Sequence, residues 1–126
     1  MPKTLILIPS RLSATRLPGK PLLKINGLSI ISHVVKKAQK SKIGETYVAT
    51  EDKEIIEDVE KNGGKAILTS KNHKTGSDRI FECFQKLNLK DVDYIINLHG
   101  DEPNIDIDDL KHLDRLVKKI ALKLEP

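Results

Sequence analysis

Residues 9–22, Pro-Ser-Arg-Leu-Ser-Ala-Thr-Arg-Leu-Pro-Gly-Lys-Pro-Leu, place three cations among small and hydroxyl side chains. Arg11 and Arg16 can fork onto phosphate oxygens, and Lys20 adds a compact point charge. The backbone N–H groups of Ser10, Ser13, Ala14 and Gly19 can approach an anion closely. The segment leaves a short apolar run, Leu5 to Ile8, that reads as a buried strand. A cationic loop of this kind at a strand end can cradle a phosphate; the competing reading is a basic surface loop. It is not a Walker A loop, because position 14 is Ala and Pro21 follows Lys20. No G-x-G-x-x-G occurs either, which removes the standard dinucleotide fingerprint. A third kind of triphosphate loop is what the residues leave.

Other polar residues fit a phosphorylated ligand. Asp101, preceded by Gly100 and directly after the apolar run Tyr94 to Leu98, suits Mg²⁺, which takes one or two carboxylates together with phosphate and water oxygens. A turn-forming or helix-capping acid is the alternative at that position. Glu102 points elsewhere, and Asp106, Asp108 and Asp109 precede a helical pattern as capping acids do. The Lys74 to Arg79 segment opens a helix. Thr75, Ser77 and the backbone around Gly76 offer donors and acceptors suited to a pyrimidine edge, and Arg79 can reach a ring carbonyl. Ser77 can also cap the helix. His33 and His112 have no partner at metal-ligand spacing and read as structural. Cys83 falls between Ile80 and Leu87 on a core-facing stripe, as a buried, inert thiol would.

These groups need elements to hold them. Apolar runs at Leu5–Ile8, Thr46–Ala49, Lys65–Leu68 and Tyr94–Leu98 predict four strands. Helical spacing over about 29–41, over a charged stretch with Ile55, Ile56 and Val59 inward, over about 77–88, and from Leu110 to Ile120 predicts four helices. Asn62-Gly63-Gly64 tolerates the positive φ that ends a helix. Strand alternating with helix means βαβ units and a parallel sheet, with Leu5–Ile8 and Tyr94–Leu98 as neighbouring central strands. In such sheets ligands bind beyond the carboxyl ends of strands, where the 9–22 loop, Thr50–Asp52 and His99–Pro103 all fall.

Composition narrows the class. The 126 residues suffice for one domain, and 38% hydrophobic with 32% charged is a globular mixture. The 22 basic and 18 acidic residues give +4, but the lysines scatter along presumed helix faces and aromatics are only 3%, which disfavours nucleic acid. No apolar run approaches the ~20 residues of a membrane span, and the amino terminus does not resemble a secretory signal. A lone cysteine suits a reducing compartment, so the expected location is cytoplasmic, without membrane insertion.

Four segments together, in order, resemble the sugar-activating nucleotidyltransferases, most closely the family of 3-deoxy-manno-octulosonate cytidylyltransferases (CMP-Kdo synthetases). They are the 9–22 loop, Val48-Ala49-Thr50-Glu51-Asp52, His73-Lys74-Thr75-Gly76-Ser77-Asp78-Arg79 and Asn97-Leu98-His99-Gly100-Asp101-Glu102-Pro103. The resemblance implies an α/β fold: a three-layer α/β/α Rossmann-like nucleotidyltransferase domain with a mainly parallel sheet, truncated, residues 1–126 being its nucleotide-binding, amino-terminal part. It implies cytidylyl transfer from CTP to Kdo, with release of pyrophosphate, for lipopolysaccharide synthesis. In that reaction Arg11, Arg16 and Lys20 are catalytic, positioning phosphates and stabilising charge. Ser10, Arg11, Lys20, Thr75, Ser77, Arg79, His99 and Asp101 bind nucleotide; Thr75, Ser77 and Arg79 recognise cytosine, and Asp101 holds Mg²⁺.

His99 departs from the family, where glutamine is usual, but imidazole can also donate one hydrogen bond and accept another. Enzymes of the family are considerably longer. The part not represented would carry most of the sugar-acid pocket, much of a homodimer interface and a second magnesium aspartate. Two alternatives accompany the enzyme reading, a CTP–Mg²⁺ binding module and an inactive truncated remnant. A sialic-acid-activating transferase is a weaker rival, because the His-x-x-Gly-x-Asp-Arg and Gly-Asp-Glu-Pro pair resembles the Kdo enzymes more.

Overall fold

A strand that is apolar at every position must be covered on both faces, and the chain meets that demand around Leu5 to Ile8. The computed structural model describes residues 3–13, 19–70, 76–89 and 92–98, without the side chain of Ser77. In chain order they form β1 (Thr4–Ser10), a 3₁₀ turn (Lys20–Leu22), β2 (Lys24–Ile25), β3 (Leu28–Ser29) and α1 (Ile30–Ser41). Then come β4 (Gly44–Thr50), α2 (Lys53–Lys61), β5 (Ala66–Leu68), α3 (Gly76–Leu87) and β6 (Tyr94–Asn97).

Strands β5, β4, β1 and β6 lie side by side in that order, all parallel. Alternate side chains of β1 serve the two faces. Ile6 and Ile8, with Val48, Ile96 and Leu98, pack against Ile31, Val34, Val35 and Ala38 of α1 and Ile55 and Val59 of α2. Leu5, Leu7 and Ala49 pack against Ile80 and Cys83 of α3. The architecture is the expected three-layer α/β/α sandwich around a parallel sheet. β1 and β6 are neighbours as predicted, but among the described strands β6 ends the sheet order, and it is β1 and β4 that are flanked on both sides.

Differences from the sequence reading are local. Helix α1 begins at Ile30 because Ser29 is its N-cap, its hydroxyl accepting the Ser32 N–H at 3.2 Å. Ile56 is half-buried rather than inward, because Ile55 and Val59, four residues apart, take the core-facing stripe of α2. The β2–β3 hairpin was not foreseen. Its two-residue strands are too short for an alternation signal, although Asn26-Gly27 is a strong turn dipeptide, and here Asn26 and Gly27 take φ of 53° and 82°. The helix expected from Leu110 to Ile120 lies outside the described residues.

The pairing of β1 with β4 opens at Gly44, opposite Thr4. A Cβ built on Gly44 would sit 1.8 Å from the Thr4 carbonyl oxygen, so the strands approach at a distance only glycine permits. Gly44→Ala is expected to lower stability by about 1–3 kcal/mol through forced separation of the strand starts, read as a drop in the urea midpoint.

Candidate active site

The chain runs outward from β1 through β4 to β5, then returns to the other side of β1 as β6. The strand order therefore reverses between β1 and β6, and a crevice at such a reversal, outside the carboxyl ends, is where open α/β sheets bind ligands. Of the family-like segments, the described part of the 9–22 loop and Glu51–Asp52 follow the carboxyl ends of β1 and β4, and Gly76–Arg79 opens α3, the helix after β5.

The loop after β1 is closed by a main-chain bridge. The Gly19 N–H donates to the Leu12 carbonyl at 2.8 Å, with Gly19 at φ 80°, a conformation that favours glycine. Beyond it, Leu22 N–H donates to Gly19 O and Leu23 N–H to Lys20 O, both at 3.0 Å, forming the 3₁₀ turn. Arg11 and Lys20 thus flank the same bridge, one at each end, and both are half-buried. Ser10, the last residue of β1, is buried. The two cations, nine positions apart in sequence, are each one residue from the bridge because the loop closes between Leu12 and Gly19.

The end of β4 holds the loop from one side and the start of α3 from the other. Thr50 is fully buried; its carbonyl accepts the Thr69 N–H at 2.7 Å and its hydroxyl the Asp52 N–H at 3.1 Å. Asp52 Oδ2 accepts the Leu12 N–H at 2.7 Å. Glu51 turns the opposite way and pairs with Arg79 at 3.3 Å, the two side chains 13% and 4% exposed. Arg79 also donates to Thr69 Oγ1 at 2.6 Å and Ser70 O at 3.2 Å. Glu82 accepts the Ser70 N–H at 3.0 Å and Lys86 donates to Leu68 O at 2.7 Å, so α3 is stapled to the end of β5. Arg79 was expected to reach a ring carbonyl; what the described contacts show is a guanidinium clamping the ends of β4 and β5 to α3.

Arg16, Thr75, His99 and Asp101 lie outside the described residues, as does the Ser77 side chain. Among the described residues no group of three or more His, Cys, Asp or Glu could hold a metal ion. Glu51 and Asp52 received no role from sequence; their position at a strand's carboxyl end was the available signal. The two described residues read as structural behave so. His33 Nε2–H donates to Ile25 O at 2.6 Å, tying the hairpin to α1. Cys83 is fully buried, and burial first, then the neighbouring Glu82 charge, pushes its thiol up to about 11.

A family model for cytidylyltransferases matches residues 5–121. The chain belongs to the cytidylyltransferase family. Among curated relatives, the 3-deoxy-manno-octulosonate cytidylyltransferase of Rhodopseudomonas palustris strain BisB18 is 47% identical over 110 residues, covering 86% of this chain and 45% of that protein. That of Nitrobacter winogradskyi is 49% identical over 104 residues, covering 82% of this chain and 41% of the relative. The chain spans less than half the length of these curated relatives. Among solved structures, a CMP:2-keto-3-deoxy-manno-octonic acid synthetase complexed with CTP superimposes at TM-score 0.85 with 41% identity, covering 93% of this chain and 48% of that one. A cytidylyltransferase from Leptospira borgpetersenii matches at TM-score 0.78 and 30% identity, covering 92% of this chain and 49% of its own.

Two outcomes follow from the buried groups of this chain. Glu51→Ala leaves the Arg79 guanidinium buried without its counter-charge and is expected to cost about 3–5 kcal/mol in a urea unfolding curve. Cys83, held neutral at pH 8, is expected to react with an alkylating reagent only as the chain unfolds, so labelling in native buffer stays far slower than in denaturant.

Proposed function

We propose that this chain forms the CTP-binding part of an enzyme that transfers CMP from CTP to the sugar acid Kdo, releasing pyrophosphate, in lipopolysaccharide synthesis. The observation that carries the reading is the closed loop after β1, with Arg11 and Lys20 at its two ends, at the carboxyl end of the strand where the sheet order reverses. Its support from relatives is the 41% identical synthetase complexed with CTP and the curated enzymes named for Kdo.

In this mechanism Arg11, Arg16 and Lys20 grip the triphosphate and stabilise the charge that grows on the departing pyrophosphate. Ser10 presents its backbone to the same phosphates. Thr75, Ser77 and Arg79 read the cytosine edge, with Arg79 also fixing the start of α3 through Thr69, Ser70 and Glu51. His99 takes the place of a glutamine beside the nucleotide. Asp101 is the proposed Mg²⁺ ligand, since a single carboxylate with phosphate and water oxygens is a donor set Mg²⁺ accepts; bound there, the ion would neutralise triphosphate charge. The acceptor must be held within about 3.5 Å of the α-phosphate, in line with the leaving group. A cytoplasmic homodimer completes the proposal; among the described residues no helix is long and apolar enough to cross a membrane.

A second reading, a CTP–Mg²⁺ binding module without efficient transfer, is favoured by one observation, that the chain spans less than half of its curated relatives. Calorimetric titration with CTP and magnesium tests what the two share. Lys20→Ala is expected to lose about 1.5–3 kcal/mol of binding, ten-fold or more in Kd. ATP is expected to compete poorly, since a purine leaves pyrimidine-edge groups unpaired. Equal binding of ATP and CTP, or an unaffected Lys20→Ala, would overturn the nucleotide assignment. Pyrophosphate release from CTP and Kdo then separates the readings: turnover near about 10 s⁻¹ marks a complete enzyme, and binding with negligible turnover marks the module.

A further inference from the structure

Asp52 stands at the N-cap of α2, with extended backbone at φ −103° and ψ 117°, and its carbonyl accepts the Ile55 N–H at 3.1 Å and the Ile56 N–H at 3.3 Å. An aspartate there ordinarily turns its carboxylate onto the first N–H groups of its own helix. This one makes no such bond. Oδ2 instead crosses to the loop after β1 and accepts the Leu12 N–H at 2.7 Å, joining residues forty positions apart. A favourable local interaction has been exchanged for a long-range one, and what the long-range one holds is the neck of the triphosphate loop.

We propose that Asp52 is a positioning residue for that loop, setting the direction of Arg11 and the closure that brings Lys20 beside it; its ligand half rests on the CTP-binding reading above. The N–H that Asp52 accepts belongs to the Arg11–Leu12 peptide plane, so the bond fixes the backbone immediately after Arg11. The Leu12 carbonyl accepts from Gly19, and the Gly19 carbonyl from Leu22, so a chain of hydrogen bonds runs from Asp52 into the turn that carries Lys20. Leu12 and Leu22 pack on the α1–α2 side of the core, anchoring the neck by its side chains as well. Asp52 is itself held, its N–H donating to the hydroxyl of the fully buried Thr50. A carboxylate aimed at a polyphosphate would repel it. Spent on a main-chain N–H, it forms a charge-assisted bond and acts on the ligand only through Leu12.

The test compares the full chain with Asp52→Ser and Asp52→Asn. Serine is as good an N-cap as aspartate, so α2 is preserved, but its oxygen is one bond too short for Leu12. Asparagine keeps the reach and the acceptor. Amide exchange is followed by NMR in the ligand-free protein, and CTP, inorganic tripolyphosphate and cytidine are titrated separately. In Asp52→Ser, exchange at Leu12 and Gly19 is expected to accelerate while Ile6, Ile8 and Val48 stay protected. CTP and tripolyphosphate are expected to weaken about ten-fold, as for a competent loop population cut to about one tenth, with cytidine unchanged. Asp52→Asn is expected to recover most of both effects.

Unchanged exchange at Leu12 in Asp52→Ser overturns the tether, whatever CTP does. Accelerated exchange with unchanged tripolyphosphate affinity overturns the positioning role. Equal weakening of cytidine and tripolyphosphate shows a general structural effect and overturns it too. If the unmodified chain binds no CTP, the CTP-binding reading falls and with it the ligand half of the proposal, while the exchange data decide the tether independently.

Discussion

Burial of β1 on both faces is the constraint from which the rest of this structure follows. Leu5, Ile6, Leu7 and Ile8 are each at most 1% exposed, so neither helix layer can be removed without opening the sheet to water. Backbone groups in such a strand must also be paired, and β4 and β6 supply partners on its two sides. Only where β1 ends can the chain turn polar. The cationic loop sits there because the run before it, Leu5 to Ile8, is covered on both faces and carries only apolar side chains.

The same limit gathers polar residues along one edge of the sheet. Thr50 closes β4 fully buried, and the two acids after it diverge, Glu51 toward α3 and Asp52 toward the β1 loop. Two segments far apart in sequence are thereby referred to one rigid strand end. Positions in a phosphate site must hold to fractions of an ångström to matter for transfer chemistry, and strand ends are stiffer supports than loops alone. The short hydrogen-bonded path from Thr50 through Asp52 and Leu12 to Gly19 is how the fold lends that stiffness to a loop rich in small residues.

Charge is handled by pairing rather than by exposure. Arg79 is almost wholly buried yet meets Glu51, Thr69 and Ser70, so its desolvation is offset by hydrogen bonds on several sides. On the opposite layer, Asp58 accepts from the Ser29 and Ser32 hydroxyls and joins the start of α1 to α2. These polar ties occupy the periphery of the two apolar clusters, fixing helix ends while the clusters supply the burial.

What the sequence determined by itself is what depends on neighbours along the chain. The four strands of the parallel sheet, the three described helices, the parallel α/β class and the buried Cys83 were legible because period, turn residues and runs of apolar side chains are local signals. Arg11 and Lys20 were legible as a pair because they share one loop. Tertiary structure alone decided the rest. Nothing local distinguishes Asp52 holding Leu12 from an ordinary helix cap, or Arg79 paired with Glu51 from an arginine facing solvent. The β2–β3 hairpin is two residues on each side, too short for periodicity to register. Each of these outcomes turns on groups that lie far apart in sequence or in segments too short to carry a pattern, and only the packing of the layers brings such groups within hydrogen-bonding distance.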